Sequence, residues 1–410
     1  MSWPMVKLGE VLTFTRGITF KPEEKIEASH PDAVVCMRTK NIQKELDESD
    51  LIAVPKALVK REELFLRHGD ILISSANSWN LVGKVVQVPK LDYQATAGGF
   101  ISILRPVLDK VLPDYLYLFI NSEQVQHDIR LLGKQTTNIS NLDRKRFLEL
   151  EIPLPPISIQ ERIAEILMQG GALLKQSIQM ESELNAMAQA VFLEMFGDPV
   201  NNPQAWPKVT LGDIAEVQGG LQVTGKRSTL PLEVDYLRVA NVYKNELKLD
   251  EIKTMRVTQA ELDRTSLKVG DMLVVEGHGN KDEIGRTAVW DGSIENCTHQ
   301  NHLIRVRFDE DVVAPEFVSR FINSEGGRAQ INKICNTTSG LNTISANNVR
   351  SLKIPLPPIQ MQRKFISFLN KLNLQARTNL EIKMQNKMIL ESLMQNAFSG
   401  KLDLKKNPDQ

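Results

Sequence analysis

Ile152-Pro153-Leu154-Pro155-Pro156-Ile157, followed by Gln160, decides the architecture of this 410-residue chain because the segment occurs twice. It returns as Ile354-Pro355-Leu356-Pro357-Pro358-Ile359, followed by Gln362. Proline has no backbone donor and restricts the residue before it, so each copy predicts a stiff elbow where the chain leaves one folded segment and enters another. We therefore interpret the chain as a duplication.

Further segments on both sides of the elbow repeat in the same order. They are Trp3-Pro4 with Trp206-Pro207, Leu8-Gly9-Glu10-Val11 with Leu211-Gly212-Asp213-Ile214, Arg38 and Asn41 with Arg238 and Asn241, Gly69-Asp70-Ile71-Leu72-Ile73 with Gly270-Asp271-Met272-Leu273-Val274, and residues 113–123 with 315–325. The last pair and the elbows share an offset of 202 residues. A period this long indicates a repeated domain rather than a solenoid.

The part of each copy before the elbow is predicted to be α+β. In the first copy, short apolar runs bounded by turn residues predict strands at residues 33–37, 70–74, 83–88 and 99–104. Residues 112–121 then have a helical pattern, with Pro113 near the start.

The part after each elbow predicts a long helix. From Gln160 to about Phe196, apolar residues recur at steps of three and four, and Gly197-Asp198-Pro199 then stops the pattern. The predicted apolar stripe consists of Ile163, Ile166, Leu167, Leu173, Leu174, Met180, Leu184, Met187 and Val191. The second copy, which ends near Phe398-Ser399-Gly400, has a stripe of Phe365, Phe368, Leu369, Leu372, Leu380, Ile382, Ile389 and Leu393.

These helices predict a coiled-coil spacer. A helix of ~34 residues is about 50 Å long, which exceeds the width of a small domain. Its natural partner is the helix of the other copy, and pseudo-twofold symmetry makes the pair antiparallel. Asn379 and Asn386 fall on the stripe, where polar side chains fix the register. The alternative is that each helix lies on its own domain.

The composition excludes few functions. The 50 basic and 50 acidic residues cancel, so a DNA-binding surface must be local. Three widely spaced cysteines, no apolar leader and no stretch long enough to span a membrane predict a soluble, cytoplasmic protein without disulfides.

Two related domains on a rigid spacer suit a ligand with two parts. Duplex DNA presents successive half-sites on one face about 34–36 Å apart. Because the two copies have diverged, we expect two different half-sites and hence an asymmetric, bipartite target.

The chain resembles the specificity subunits of type I restriction–modification enzymes. The resemblance covers nearly the whole chain and rests on Leu8-Gly9-Glu10-Val11, on Gly69-Asp70-Ile71-Leu72-Ile73, on the elbow with its glutamine, and on Phe398-Ser399-Gly400-Lys401-Leu402. It implies target-recognition domains at 1–152 and 201–354 and conserved helical regions at 153–200 and 355–410. It also implies double-stranded DNA, two methyltransferase subunits and a restriction/translocase subunit as partners, with no membrane association.

The resemblance implies a chain without catalysis of its own that directs adenine methylation and DNA restriction by its partners. S-adenosylmethionine, ATP and Mg are expected in those partners, with no cofactor in this chain. The residues agree with that expectation. Leu154-Pro155-Pro156-Ile157 lacks the Asn/Asp-Pro-Pro-aromatic motif of an adenine methyltransferase, no phosphate-binding loop is present, and Cys297, His299 and His302 fit no standard zinc spacing. We predict no catalytic residue and no metal site.

Polar loops after strands are the candidates for base reading. They are residues 74–80 in the first copy, with Ser75, Asn77, Ser78, Trp79 and Asn80, and residues 276–281 in the second, which begin at Glu276 and include His278, Asn280 and Lys281. A plain solvated loop explains these residues equally well. Gln300 and Asn301 either read bases or border a strand.

Three other groups are weaker candidates for DNA contact. One is the pair of aligned segments with Lys134, Gln135, Thr136 and Thr137, and with Asn336, Thr337 and Thr338, which could instead end a helix. Another consists of the basic residues Arg16, Lys21, Lys226 and Arg227, as phosphate contacts. The third, Arg38 and Asn41 with Arg238 and Asn241, is identical in both copies, so structural or phosphate roles suit it better than discrimination.

Two other functions stay open from the residues alone. One is a methyltransferase or nuclease fused to recognition domains, and the other is a coiled-coil adaptor that does not bind DNA.

Overall fold

A computed structural model describes residues 3–135, 140–198, 200–309, 311–338 and 340–402. The chain forms two compact units, which we call unit 1 (residues 1–178 and 381–410) and unit 2 (residues 179–380). Each unit contains one copy of the predicted α+β domain, the beginning of one long helix and the end of the other.

The strands of unit 1 are β1 (Met5–Lys7), β2 (Leu12–Arg16), β3 (Ala33–Met37), β4 (Ala53–Pro55), β5 (Ile71–Ser74), β6 (Ala76–Asn77), β7 (Val85–Gln87), β8 (Ala95–Ala97), β9 (Ile101–Pro106), β10 (Gly133–Gln135), β11 (Ser140–Leu142) and β12 (Glu151–Pro153). Its helices are α1 (Leu8–Val11), α2 (Pro113–Ile120), α3 (Glu123–Leu131), α4 (Arg144–Leu148) and the first part of α5 (Ile157–Phe196). The predicted strands and the predicted short helix are confirmed.

The strands of unit 2 are β13 (Lys208–Thr210), β14 (Ala215–Gly219), β15 (Leu232–Leu237), β16 (Val242–Tyr243), β17 (Glu246–Leu247), β18 (Lys253–Val257), β19 (Met272–Val275), β20 (Gly277–His278), β21 (Thr287–Val289), β22 (Thr298–His299), β23 (Leu303–Phe308), β24 (Asn336–Thr338), β25 (Leu341–Thr343) and β26 (Lys353–Pro355). Its helices are α6 (Leu211–Ile214), α7 (Gln259–Thr265), α8 (Pro315–Asn323), α9 (Glu325–Ile334), α10 (Ala346–Arg350) and the first part of α11 (Ile359–Phe398).

The two units have the same sheet topology. The orders β2-β9-β5-β7, β4-β3-β8, β10-β11-β6 and β1-β12 return as β14-β23-β19-β21, β18-β15-β22, β24-β25-β20 and β13-β26. The pairs β3–β8 and β15–β22 are parallel, and the other pairs in these sheets are antiparallel. Compared with the described part of unit 1, unit 2 adds the β16–β17 hairpin and helix α7.

The repeated elbow and the repeated Trp-Pro dipeptide pair with each other. Strand β1 lies antiparallel to β12, and the Leu154 N–H donates to the Pro4 carbonyl over 2.8 Å. In unit 2 the Leu356 N–H donates to the Pro207 carbonyl over the same distance. This pairing explains why the two distant motifs recur together.

The glutamine after each elbow fixes the helix to the domain. The Gln160 side chain is fully buried; its amide oxygen accepts from the Leu112 N–H, and its Nε2 donates to the Lys110 and Pro155 carbonyls, all over 2.9 Å. Gln362 accepts from the Ala314 N–H over 2.9 Å in the same way. A buried carboxamide with its partners satisfied sets one orientation for each helix.

The aspartate of the repeated Gly-Asp motif anchors the largest sheet of each unit. Asp70 forms two hydrogen bonds with the Arg105 guanidinium, at 2.8 and 2.7 Å. Asp271 makes the same pair with Arg307, at 2.7 Å for both bonds. Both carboxylates are buried, so the motif is part of the scaffold.

Helices α5 and α11 confirm the two predicted long helices, and each has 40 residues. Within unit 1 the helices run antiparallel, because Gly170 lies against Leu390 while Ser177 Oγ accepts from Asn386 Nδ2 at 3.5 Å. Asn379 is also buried, as expected of a polar seam position. Among the described helices, none has the length and apolar character to span a bilayer.

The predicted stripe is wrong at six positions. Leu173, Met180, Met187, Leu380, Ile382 and Ile389 are all exposed. Nine buried or half-buried residues of α5 instead follow the steps of three and four that a coiled-coil seam requires, with one step of seven at the exposed Glu181, and this seam is narrower than a general apolar face. They are Gln160, Ile163, Leu167, Gly170, Leu174, Ser177, Leu184, Ala188 and Val191.

Each helix begins on one domain and ends on the other. In unit 2, Phe192 and Phe196 at the end of α5 pack against Phe317 of α8 and Phe365 of α11, with ring centroids 4.7–5.8 Å apart. In unit 1, Phe398 of α11 packs 5.5 Å from Tyr115. Both helices thus belong to each core, so the alternative in which each lies on its own domain is wrong.

Candidate nucleic-acid interface

A small three-stranded sheet in each unit brings together the predicted polar segments. In unit 1, strand β11 lies between β6 and β10, and Ser140 is opposite both Asn77 and Gln135. In unit 2, strand β25 lies between β20 and β24, and Asn342 is opposite both His278 and Thr337. Segments that are about 60 residues apart in the sequence therefore form one surface. Thr136 and Thr137 lie outside the described residues, and Lys134 and Thr338 are placed only as strand positions.

Backbone hydrogen bonds show which residues of the two small sheets are equivalent. The Ser75 N–H donates to the Phe100 carbonyl over 2.8 Å, and the Glu276 N–H donates to the His302 carbonyl over 2.9 Å. The Ser75 and Glu276 carbonyls each accept from the next strand over 2.9 Å. We call the pairs Ser75/Glu276, Asn77/His278 and Phe100/His302 the three reader positions.

The reader positions of unit 1 are neutral and partly aromatic. Ser75 Oγ donates to Ser102 Oγ over 2.7 Å, and Asn77 Nδ2 donates to Ser74 Oγ over 3.2 Å. The Phe100 ring is 63% exposed, although phenylalanine is normally buried. Trp79, in the loop that follows β6, is 41% exposed and is flanked by the exposed residues Ser78 and Asn80.

The reader positions of unit 2 are titratable. Glu276 Oε2 lies 3.7 Å from His302 Nδ1. Burial raises the pKa of Glu276, while the adjacent His302 acts to lower it. His278 Nδ1 accepts from the Asn280 N–H over 3.0 Å, and the Asn342 amide donates to the His278 carbonyl over 3.2 Å.

The sequence analysis missed Phe100, Asn342 and the role of His302 as a reader, and it did not single out Glu276 within the polar loop 276–281. Phe100 follows Gly98-Gly99 in a turn, and an aromatic residue there was a usable signal of a functional surface. The role of Glu276 and Asn342 had no sequence signal, because it depends on pairing between distant strands.

Basic residues border the small sheet of unit 1. The Arg16 Nε donates to the Gly99 carbonyl over 3.0 Å, which places this exposed residue beside the Phe100 turn. Arg144, Lys145 and Arg146 are exposed in α4, directly after β11. The sequence analysis overlooked this run of three cations, which was readable as a local charge cluster. In unit 2, helix α10 has Ala346-Asn347-Asn348 instead.

Some of the other predicted residues lie outside the small sheets, and one of them, Arg227, is already paired with a carboxylate. Lys226 is exposed, but Arg227 is paired with Glu261 over 3.1 Å, and this contact lowers the pKa of Glu261. Lys21 is exposed beside the turn Pro22–Glu24. In unit 2, Lys281 is exposed in the loop after β20, Asn336 is exposed at the start of β24, and Gln300 and Asn301 are half-buried between β22 and β23.

The residues that are identical in both copies have a structural role. The Asn41 amide donates to the Asp47 carbonyl over 2.7 Å, and Asn241 donates to the Lys248 carbonyl over 2.8 Å. In each copy the same asparagine also accepts from the N–H of the repeated arginine.

The histidine next to these loops is buried rather than ligand-like. His299 has no exposed surface, and burial, together with Arg305, lowers its pKa to about 4. Over the described ranges, no group of three His, Cys, Asp or Glu side chains could hold a metal ion.

Comparisons with known proteins identify one family over most of the chain. The family model described as the type I restriction modification DNA specificity domain matches residues 2–184 and again 203–386. The chain is 27% identical over 438 residues to the type I restriction enzyme EcoKI specificity subunit of Escherichia coli (strain K12), covering 99% of this chain and 91% of that protein. It is also 27% identical over 432 residues to the StySPI specificity subunit of Salmonella potsdam, with the same coverage.

Solved structures share the fold. The type I restriction–modification S subunit from M. genitalium matches with a TM-score of 0.57 at 14% identity, covering 99% of this chain and 97% of that one. A chain from a structural study of complex assembly and conformational transition of the type I system matches with a TM-score of 0.57 at 16% identity, covering 98% of both chains.

Proposed function

Because the chain belongs to the type I restriction modification DNA specificity domain family, it is a specificity subunit, and we propose that it reads an asymmetric, bipartite DNA target through one small sheet in each unit. The observation that carries the proposal is the pair of equivalent sheets with different side chains at the three reader positions. An identical backbone frame with different chemistry is what two unlike half-sites require. The family assignment favours this function over the two alternatives, a coiled-coil adaptor that does not bind DNA and an enzyme fused to recognition domains.

The reader positions supply side chains that suit base recognition. A carboxamide such as that of Asn77 pairs with adenine, and a carboxylate such as that of Glu276 accepts from the amino group of cytosine. An exposed ring such as that of Phe100 or Trp79 stacks on a base. We therefore expect the two half-sites to differ in the base pairs that they present to these positions.

Cations near the small sheets position the protein on the phosphate backbone. In unit 1 these are Arg16 and the run Arg144-Lys145-Arg146, and in unit 2 it is Lys281, all of them exposed. Lys226, which is exposed elsewhere in unit 2, offers a further phosphate contact. Contacts of this kind add affinity without sequence information.

Catalysis is assigned to partners. In each unit, exposed apolar residues that flank the seam offer a docking surface for one methyltransferase subunit; they include Leu173, Ile382 and Ile389 in unit 1 and Met180 and Met187 in unit 2. A restriction/translocase subunit completes the complex in the cytoplasm. S-adenosylmethionine, ATP and Mg belong to those partners in this proposal, and this chain performs no bond-making step.

The test is methylome sequencing of cells that express the chain with its methyltransferase partner. We expect methylated adenines in a split motif with unequal halves. The variants Asn77→Ala and His278→Ala lie at equivalent reader positions and serve as matched controls for each other. Each variant should relax the sequence preference in one half of the motif only.

Two outcomes would count against the proposal. One is a single continuous motif that responds to both variants throughout its length. The other is a variant in one unit that changes both halves equally, because separate readers cannot produce that result.

A further inference from the structure

A polar cleft of about 430 Å³ lies in unit 2, away from the small sheet. Helix α8 contributes Ser319 and Arg320, and helix α11 contributes Asn370, Asn373 and Arg377. A cleft of this size suits a small ligand or one group of a larger one.

The two arginines of this cleft lack partners. Within the part of the chain that the structure describes, neither Arg320 nor Arg377 forms an ion pair or a side-chain hydrogen bond. Arg320 is half-buried, and burial alone lowers its pKa, with no carboxylate compensating. A desolvated guanidinium without a counter-charge is unfavourable, so this position favours the binding of an anionic ligand.

The acidic residues of the cleft do not neutralise the charge of Arg320. Asp291 and Glu316 also line it. The Asp291 carboxylate accepts from the Ser293 N–H over 3.0 Å, and Glu316 has an interaction of its own. Neither forms an ion pair with Arg320 in the described structure.

Unit 1 provides an internal control for this cleft. The 202-residue offset aligns Ser319 with Tyr117 and Arg320 with Leu118. Leu118 packs against the apolar core of unit 1. Arg377 aligns with Lys175, which is paired with Glu45 at 2.5 Å. Since the fold accepts leucine at this position, Arg320 is not required for folding, and unit 1 already supplies a carboxylate to its helix cation.

We propose that this cleft binds a phosphate-bearing anion, with Arg320 as the bidentate donor and Arg377 as the second cation. Guanidinium groups match the planar spacing of phosphate oxygens, and two of them balance the double charge of a phosphate group. The carboxamides of Asn370 and Asn373 offer further N–H donors. The phosphate comes either from a free phosphoanion or from a DNA backbone.

The test is isothermal titration of the full chain with inorganic pyrophosphate. We expect one saturable site, and at least about tenfold weaker binding in Arg320→Leu and in Arg377→Ala. Arg264→Ala, which changes an exposed arginine of α7 outside the cleft, should bind like wild type. Non-saturable binding, or equal binding by Arg320→Leu and wild type, would overturn the proposal.

Two further measurements complete the design. Arg320→Leu introduces the residue that unit 1 already has, so without pyrophosphate it should unfold at the same or a higher temperature than wild type; a lower temperature would show that Arg320 is structural and would overturn the proposal. Competition with duplex DNA identifies the source. Displacement of pyrophosphate assigns the phosphate to a DNA backbone, and independent binding assigns it to a free phosphoanion. The cleft does not depend on base reading, so a failed methylome test leaves this titration informative.

Discussion

The small sheets of units 1 and 2 share their backbone hydrogen bonds but differ in every reader side chain. Unit 1 presents Ser75, Asn77 and Phe100, which carry no charge. Unit 2 presents Glu276, His278 and His302. Glu276 Oε2 lies 3.7 Å from His302 Nδ1.

The difference shows how a duplicated fold separates stability from specificity. Residues identical in both copies, such as Asp70 and Asp271 or Gln160 and Gln362, have buried side chains that hold the frame. The reader residues, which differ, lie at strand ends and turns, where a side chain can change without disturbing the core. Four predictions test this separation, from the largest expected effect to the smallest.

The scaffold should respond equally in both units. Asp70→Ala and Asp271→Ala each leave an arginine, Arg105 or Arg307, without its buried partner, and each should lower the free energy of unfolding by about 3–5 kcal/mol. Urea unfolding measures both variants. Asp263→Ala, at an exposed position of α7, should change stability by less than about 0.5 kcal/mol. A large loss in only one unit would break the idea of a shared scaffold.

Acid should destabilise unit 2 through His299. Its pKa of about 4 lies below the ordinary value of 6.5, so the unfolded chain takes up a proton before the folded chain does as the pH falls. The contribution of neutral His299 to the free energy of unfolding is therefore complete above pH 6.5. It decreases by roughly 2–3 kcal/mol as the pH falls toward 4. The equivalent residue of unit 1, Ala97, cannot titrate.

His299→Leu measures this contribution, because it removes the titrating ring and leaves Arg305 and Asp271, the charged groups that shift its pKa, in place. Urea unfolding at pH 7 and pH 4.5 should show a smaller loss in the variant than in wild type. Equal losses would mean that other groups cause the acid sensitivity of unit 2.

Transplanting the reader positions should transfer sequence preference. The triple variant Glu276→Ser, His278→Asn and His302→Phe gives unit 2 the side chains of unit 1. Each affected base pair should shift in preference by about 1–3 kcal/mol, roughly 10- to 100-fold. Competition binding with oligonucleotides altered in one half-site measures the change. An unchanged preference would move base reading away from the small sheets.

Single cations should have the smallest effect. Lys226→Ala and Lys281→Ala should each weaken DNA binding similarly on all sequences. Each should also reduce the slope of log binding constant against log salt concentration by about one. Asn77→Ala and Asn280→Ala should instead change preference at one position. Titrations between about 50 and 200 mM salt separate the two classes, and equal, sequence-independent losses in all four variants would contradict the distinction.

Part of the candidate site was predictable from the sequence. The loops with Asn77 and His278 follow recognisable strands, and the exposed Trp79 was a local signal. Phe100 and the run Arg144-Lys145-Arg146 were readable but overlooked. The contact of Glu276 with His302 was not predictable, because it results from a turn 26 residues further along the chain.

The helix seam illustrates the same limit. The period of the apolar residues predicted both helices, and the symmetry of the duplication predicted their antiparallel pairing, yet the period placed Leu173 and Met180 in the seam, where neither lies. Apolar residues beside a seam have nearly the same spacing as residues within it, and only packing against the other helix separates the two sets.

The sequence by itself determined the duplication, the α+β class, the elbows and the long helices, because repeats, prolines and periodicity act locally along the chain. Tertiary structure alone decided that each helix joins both cores, that polar segments about 60 residues apart share one sheet, and that Arg320 faces a cleft without a counter-charge. These features come from contacts between residues far apart in sequence, and local pattern carries no record of such contacts.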